Sequence, residues 1–260
     1  MIITLLSDFG YQDNFVGVAK GVLLQRLPTA RLIDLNHEVE PFHLLQCSYL
    51  LKSAYANFPH HTVHLSLFDI MHRNPASLLV TEIDSQYVIS ADNGLLPLTF
   101  NNRLGKVYVH DRIVSSYMEW LNLAADFIAG LDQGNSDISR FQTLEPKVHP
   151  ARLQAVVKDN SIECQVIHID RYENVVINLT RDEFEAQRRG RKFRIQIVRD
   201  TLTHISNDYS DVPVSEKLCL FNSAGYMEIA INQGKASSLL GLRLHHERQL
   251  IYQNIKIEFL

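Results

Sequence analysis

The sequence predicts an α/β N-terminal layered domain with a largely parallel sheet, followed by a smaller all-β, barrel-like C-terminal domain. Three observations predict it. Short β-rich apolar runs alternate with helix-period stretches through the first half, a polar segment with two prolines spans Gly130 to Pro150, and nearly every patterned run after Arg152 reads as a strand. The boundaries that follow are 1–135 for the α/β domain, 136–151 for a linker and 152–260 for the β domain.

In chain order, the β-rich apolar run Ile2–Ser7 is a strand, and the helical spacing near Phe15–Gln25 makes a helix. Arg31–Leu35 is a strand and Leu44–Asn57 a helix. Val63–Phe68, Ser77–Ile83, Tyr87–Ser90 and Lys106–His110 continue as strands, and Ser116–Ala129 returns to helical spacing. In the second half the strands are Leu153–Val157, Ser161–Asp170, Asn174–Leu179, Lys192–Val198, Lys217–Phe221, Met227–Ile231 and Leu250–Phe259. They are punctuated by turn residues such as Lys158-Asp159-Asn160 and Ser223-Ala224-Gly225. One helical piece, Lys235–Leu240, interrupts them, and a small barrel or sandwich accommodates the pattern.

The chain has 260 residues, 46% hydrophobic, enough for a substantial core, and 25 Lys+Arg against 29 Asp+Glu give a formal net charge of −4. That mildly acidic balance, with one isolated basic run at Arg188, Arg189, Arg191 and Lys192, argues against a nucleic-acid partner and for a small-molecule ligand. Cys47, Cys164 and Cys219 are scattered without close pairs and read as reduced and buried. No apolar run approaches membrane-spanning length and the start lacks a basic n-region, so no membrane partner and a cytoplasmic location are expected. The adjacent pairs His60-His61 and His245-His246 would point apart on a strand and no HExxH occurs, so no metal is expected.

Polar residues collect at strand ends. Asp8 and Asp13 follow the first strand, where either carboxylate could fix hydroxyl or ammonium groups; equally, Asp13 could cap the helix while Gly10 shapes the turn. His37 follows the second strand and most simply closes a loop hydrogen bond. Asp69, His72 and Arg73 follow the third, an acid, an imidazole and a guanidinium that could activate water or simply form a salt-bridged turn. Asp92-Asn93-Gly94 reads as a tight turn. In the second half, Asp170-Arg171-Tyr172-Glu173-Asn174 joins two strands; its Asn could match an adenine edge and its Tyr stack, or the segment is only a hairpin connection. Residues 222–234 read as strand, turn, strand and loop, with Glu228 solvated.

In this order, SDFGYQDNFVGVAKGV, LIDLNHEVEPF, VHLSLFD, SADNGLL, IDRYENVVIN and LFNSAGYMEIAINQGKASSLLG resemble the S-adenosylmethionine hydroxide adenosyltransferase family, relatives of the fluorinase and chlorinase, almost end to end. The resemblance implies a homotrimer of two-domain subunits holding an adenosyl ligand between the N-terminal domain of one chain and the C-terminal domain of its neighbour. By matched position it implies that Asp8 chelates the ribose hydroxyls, Asp13 sits near the methionine end and Phe42 lines the sugar. Asp170 and Ser223 would hold the amino-acid moiety, Tyr172 would stack and Asn174 would read adenine.

The implied reaction is displacement of methionine from the ribose 5′ carbon by water, with S-adenosylmethionine as substrate and no cofactor. A sulfonium is already a good leaving group, so alignment, a proton acceptor and a dry pocket are what the protein must add. The family's Asp is matched by Asp69 and its Arg approximately by Arg73, while its TFHGRD-like segment is replaced by Ser115–Leu121, which contains no histidine. Either His72 supplies the imidazole from a different backbone position, or the chain binds an adenosyl ligand without catalysis. Halogenation ranks third, because the halogenase turn is unmatched and Asp69 opposes an approaching anion.

Overall fold

A computed structural model describes residues 1–72, 75–112, 114–135, 138, 141–148, 154–198, 200–244 and 255–260. It divides into two units, Met1–Ala151 and Arg152–Leu260. Among the described residues, no helix is long and apolar enough to cross a membrane. Arg73, Leu153, residues 250–254 and the His245-His246 pair lie outside the described residues.

In the first unit β1 (Ile2–Leu6), β2 (Arg31–Asn36), β3 (Val63–Ser66), β4 (Leu78–Ile83), β5 (Gln86–Ala91), β6 (Val107–Val109) and β7 (Gln142–Thr143) form one sheet in the order β2-β1-β3-β5-β4-β6-β7. The stretch β2-β1-β3-β5 is parallel, but β5-β4, β4-β6 and β6-β7 pair antiparallel, so the sheet is mixed rather than largely parallel. The physical reason is local. Asp84 and Ser85, both at positive φ (49° and 58°), close a two-residue loop between Ile83 and Gln86, and that turn geometry folds β5 straight back on β4.

Helices cover both faces of this sheet. Helices α1 (Phe15–Arg26) and α4 (Tyr117–Asp132) pack on one, where Trp120, Leu23 and Ala124 meet Ile3, Leu5, Val63 and Leu65. Helices α2 (Leu44–Tyr55) and α3 (Leu95–Phe100) pack on the other, against Leu6, Leu79 and Val88. The short α3, which carries Pro97, has no counterpart in the sequence reading.

The second unit holds two antiparallel sheets. One is β10 (Val166–Ile169), β11 (Val175–Thr180), β15 (Tyr226–Ile231) and β14 (Lys217–Phe221). The other is β13 (Asp200–Leu202), β12 (Phe193–Ile197), β16 (Ile255–Phe259), β9 (Ser161–Cys164) and β8 (Val156–Lys158). The single strand expected over Ser161–Asp170 is two, one in each sheet. The break falls at Gln165, whose N–H donates to the Asn178 side-chain oxygen (2.7 Å) and whose carbonyl accepts from Asn178 N–H (3.1 Å).

Besides α6 (Ala236–Leu240), a second helix, α5 (Arg181–Arg188), corrects the expectation of one helical piece. Its lone buried residue is Phe184, whose ring meets Phe193, Phe221 and Phe259 with centroids 5.1–6.0 Å away. A capping box starts it: the Thr180 hydroxyl oxygen accepts from Glu183 N–H, and the Glu183 carboxylate accepts from Thr180 N–H at 2.9 Å. Thr180→Ala removes one half of that exchange. It is expected to destabilise the second unit by about 1 kcal/mol, read as a lower urea midpoint with an unchanged slope.

Candidate functional site

Strands β1, β2, β3 and β5 run parallel, so the loops that leave them gather at one sheet edge. From β1 the chain crosses to β2 on one side, while β3 lies on the other. In an open α/β sheet that reversal leaves a crevice beyond the carboxyl ends of the two diverging strands, the place where ligands bind. The residue pair Leu6 and Ser66 ends the β1–β3 ladder, and Asp8 and Asp69 follow within three residues on either side of the crevice.

Asp69 is half-buried and sits at φ 40°, a left-handed conformation uncommon for a side chain larger than glycine. Asn93 explains how it is held, since its amide nitrogen donates to the Phe68 carbonyl (2.8 Å) while its oxygen accepts from Leu95 N–H (3.1 Å). The Asp92-Asn93-Gly94 turn, with Gly94 at φ 91°, therefore serves as a brace for the Asp69 loop.

His72, on the short helical turn after Asp69, places Nδ1 2.7 Å from Asp69 Oδ2. An ionised carboxylate only accepts, so it is Nδ1–H that donates to it. Burial raises the Asp69 pKa, the His72 contact pulls it partly back, and the nearby charge of Asp8 raises it further. His72 also lines a cavity of about 190 Å³ with Ile70, Ser77, Asp92 and Lys147. Drug-sized ligand pockets are typically about 300–1,000 Å³, so this one suits waters beside the Asp69–His72 pair rather than a nucleoside.

Asp8 is partly buried, and its Oδ2 accepts from Phe42 N–H at 3.1 Å, which ties the loop after β1 to the loop after β2. Phe42 sits at φ 63° with its ring 75% exposed at the rim. Beneath both loops is His37, 1% exposed: its Nδ1 is 2.6 Å from Ser7 Oγ and its carbonyl accepts from Gly10 N–H. It closes loop hydrogen bonds, as its sequence position suggested, and in doing so brackets Asp8 on both sides. Burial lowers the His37 pKa, with Asp34 opposing the shift from 3.1 Å, an ion-pair contact too oblique for a good hydrogen bond. Asp34 itself is pulled up by burial, but the Lys20 hydrogen bond and the His37 contact outweigh that and hold its carboxyl low. Asp13 is exposed and does not cap α1, whose N-cap is Asn14.

In the second unit Asp170 closes its own turn. Its Oδ1 accepts from Tyr172 N–H (2.9 Å) and Asn174 N–H (2.8 Å), and its Oδ2 from the Asn174 side chain (3.1 Å). The turn contains Glu173 at φ 64° and leaves the Tyr172 ring 75% exposed. Asn174 is buried, and one of its two amide hydrogens is committed to Asp170.

Ser223 is exposed in the β14–β15 hairpin. Because Val175 pairs with Ile229 and Thr180 with Tyr226, Ser223 and the Asp170 turn lie toward opposite ends of the β11–β15 pair. Between them is Glu228, which the sequence reading left solvated but which is 4% exposed. Its Oε1 accepts from Tyr209 O–H (2.6 Å) and its Oε2 from the Asn222 amide (3.2 Å). Burial raises the Glu228 pKa, those two hydrogen bonds oppose the rise, and the Asp170 charge adds to it. The alternation Met227, Glu228, Ile229 put Glu228 on the outer face; the short helix Tyr209–Asp211 and Val212 cover that face, which no local pattern announces.

A switch-point crevice flanked by two carboxylates, one paired to an imidazole, above a mixed sheet, and a separate antiparallel unit with an exposed aromatic and a buried amide in one turn define a small-molecule-binding α/β–β protein. The chain belongs to the SAM hydroxide adenosyltransferase family: residues 3–130 match its N-terminal domain and residues 164–249 its C-terminal domain. It is 28% identical over 264 residues to the (R)-S-adenosyl-L-methionine hydrolase of Methanocaldococcus jannaschii, covering 96% of each chain. It is 26% identical to the Thermus thermophilus protein of the same name, covering 93% of this chain and 96% of that one. Among solved structures, an uncharacterized conserved protein from Thermotoga maritima superposes with a TM-score of 0.82 at 27% identity, covering 99% of both chains.

Proposed function

We propose that the protein hydrolyses S-adenosyl-L-methionine to adenosine and L-methionine. The observation that carries the proposal is the Asp69–His72 pair at the β1/β3 switch point, close enough to Asp8 for the two charges to interact. Asp8 takes the ribose 2′- and 3′-hydroxyls and Phe42 covers the sugar. Water hydrogen-bonded to Asp69 Oδ1 attacks the ribose 5′ carbon, and the C5′–S bond breaks with its electron pair going to sulfur. The sulfonium leaves as the neutral thioether of methionine, and the water proton passes to the Asp69–His72 pair, with Arg73 close in sequence to steady its charge. A carboxylate whose pKa burial has raised is a better proton acceptor near neutral pH than an ordinary one. The substrate brings its own leaving group, so no metal or cofactor enters the scheme.

Asp170, Tyr172 and Asn174 at one end of the β11–β15 pair and Ser223 at the other suit an extended ligand: Tyr172 stacks on adenine, Asn174 reads its edge, and Ser223 meets the amino-acid moiety with Asp13 near the methionine end. Asp170, at the adenine end with both oxygens engaged in its own turn, holds that turn rather than the amino acid. The exposure of Phe42 and Tyr172 supports a site completed by a neighbouring subunit in a cytoplasmic homotrimer whose C-terminal sheets act as a barrel-like unit. Light scattering on the purified protein checks that state.

The deciding experiment incubates the protein with S-adenosylmethionine in chloride buffer and follows products by chromatography. Equimolar adenosine and methionine are expected, together with a raised melting temperature in the presence of adenosine. A thermal shift without product leaves an adenosyl-binding protein that is no hydrolase, 5′-chloro-5′-deoxyadenosine in place of adenosine makes it a halogenase, and no shift and no product remove every adenosyl reading.

A further inference from the structure

We infer that Glu228 is a positioning residue that fixes the Ser223 hairpin by dictating which way the Asn222 side chain faces. The inference rests on the proposed reading of that hairpin as part of the ligand site. The Asn222 oxygen accepts from Ala224 N–H (3.1 Å) and Tyr226 N–H (3.2 Å), so it folds the chain around Ser223. The backbone adds Gly225 N–H to the Asn222 carbonyl (2.8 Å), with Gly225 at φ 78°. An amide whose oxygen faces those two donors must point its nitrogen the other way, and there Glu228 Oε2 meets it at 3.2 Å.

Glu228 is in turn held from the far side by the Tyr209 hydroxyl, and it stands on a central strand, opposite Leu220 of β14 and Val176 of β11. The side chain thus transmits the rigidity of the sheet to an exposed turn. Its position between the Asp170 turn and the hairpin lets one buried group hold the spacing across which an extended ligand lies.

The geometry separates shape from charge. Glutamine at 228 has an oxygen to accept from Asn222 and an amide nitrogen to donate to the Tyr209 oxygen, so both contacts survive without the charge. Leucine of similar bulk takes the Glu228 acceptor away from the Asn222 amide nitrogen. Reversing the Asn222 amide would then set its nitrogen against two backbone donors.

The test measures hydrogen exchange at the Ala224 and Tyr226 amides, and KM and kcat for S-adenosylmethionine, in wild type, Glu228→Gln and Glu228→Leu. Glu228→Leu is expected to speed exchange at both amides at least tenfold and to raise KM about tenfold with kcat within twofold, while Glu228→Gln keeps wild-type values. Unchanged exchange in Glu228→Leu overturns the inference, as does a Glu228→Gln variant as impaired as Glu228→Leu. Faster exchange with an unchanged KM overturns it too, since the hairpin then does not serve the ligand. Should Glu228→Leu not fold, Asn222→Ala removes the amide that Glu228 holds and is expected to raise KM equally; a wild-type KM there overturns the inference. A wild-type protein that forms no adenosine removes the proposed hydrolase instead, and the exchange measurement alone then decides the anchoring.

Discussion

Asp69→Asn is expected to cut turnover of S-adenosylmethionine about 10²–10⁴-fold, the usual contribution of a positioned proton acceptor, while leaving binding within a few fold. Asparagine keeps the size of the group and an oxygen facing the water, but it cannot take the proton. The pH profile gives a second readout. The carboxylate works when deprotonated, and burial with the neighbouring Asp8 charge holds its pKa above the ordinary aspartate value. The acid limb of kcat/KM in the wild type therefore falls as pH drops through that raised value, and the residual activity of Asp69→Asn lacks this limb. His72→Ala, which removes the 2.7 Å contact that pulls the same pKa down, shifts the limb to higher pH and lowers turnover while sparing binding. Full turnover in His72→Ala would take the imidazole out of the mechanism.

The second large effect belongs to Asp8→Ala. A carboxylate chelating two hydroxyls makes two charge-assisted hydrogen bonds, each worth about 1.5–3 kcal/mol. Its loss is expected to weaken adenosine binding by about 10²–10⁴-fold, measured by calorimetry. The variant also releases Phe42 N–H, so a weaker complex alone does not assign the contact. Comparing adenosine with 2′-deoxyadenosine does: wild type discriminates strongly between them, and Asp8→Ala binds both equally. Retained discrimination in Asp8→Ala would show that the 2′-hydroxyl is read elsewhere.

Much of this site was legible because the chemistry-bearing segments follow strands, and strand ends announce themselves through the step from apolar runs to Asp, Asn, Gly and Pro. Asp8 and Asp69 were located that way, while Phe42 came only from the family resemblance, and the structure brings the three loops to one edge. What was not legible had non-local causes. The reversal from parallel to antiparallel pairing depends on a two-residue loop, Asp84-Ser85, that carries no glycine and so lacked the usual hairpin signal. Helix α5 contributes one buried residue, Phe184, and is otherwise charged, which hid its amphipathic face; its Thr180-x-x-Glu183 start was the signal that could have found it. Glu228 sits on an alternating strand whose outer face is covered by a segment nearly twenty residues upstream, so burial there was invisible to a window of neighbours. For Asp13 the alternative of a helix cap does not hold, since the following asparagine occupies that place without making the cap bond.

The place of β1 between β2 and β3 has a temporal consequence. Its partners come from far along the chain: Ile3 pairs with Leu32 on one side and with Val63 on the other. Closing such long segments is entropically slow, and the side chains that reward it arrive only when both neighbours have docked. A nascent polypeptide still short of β3 can already tie the Asp8 loop to the loop after β2, but it lacks the Asp69 side of the crevice. The two-carboxylate arrangement therefore emerges late, with the assembled sheet, rather than growing residue by residue during synthesis.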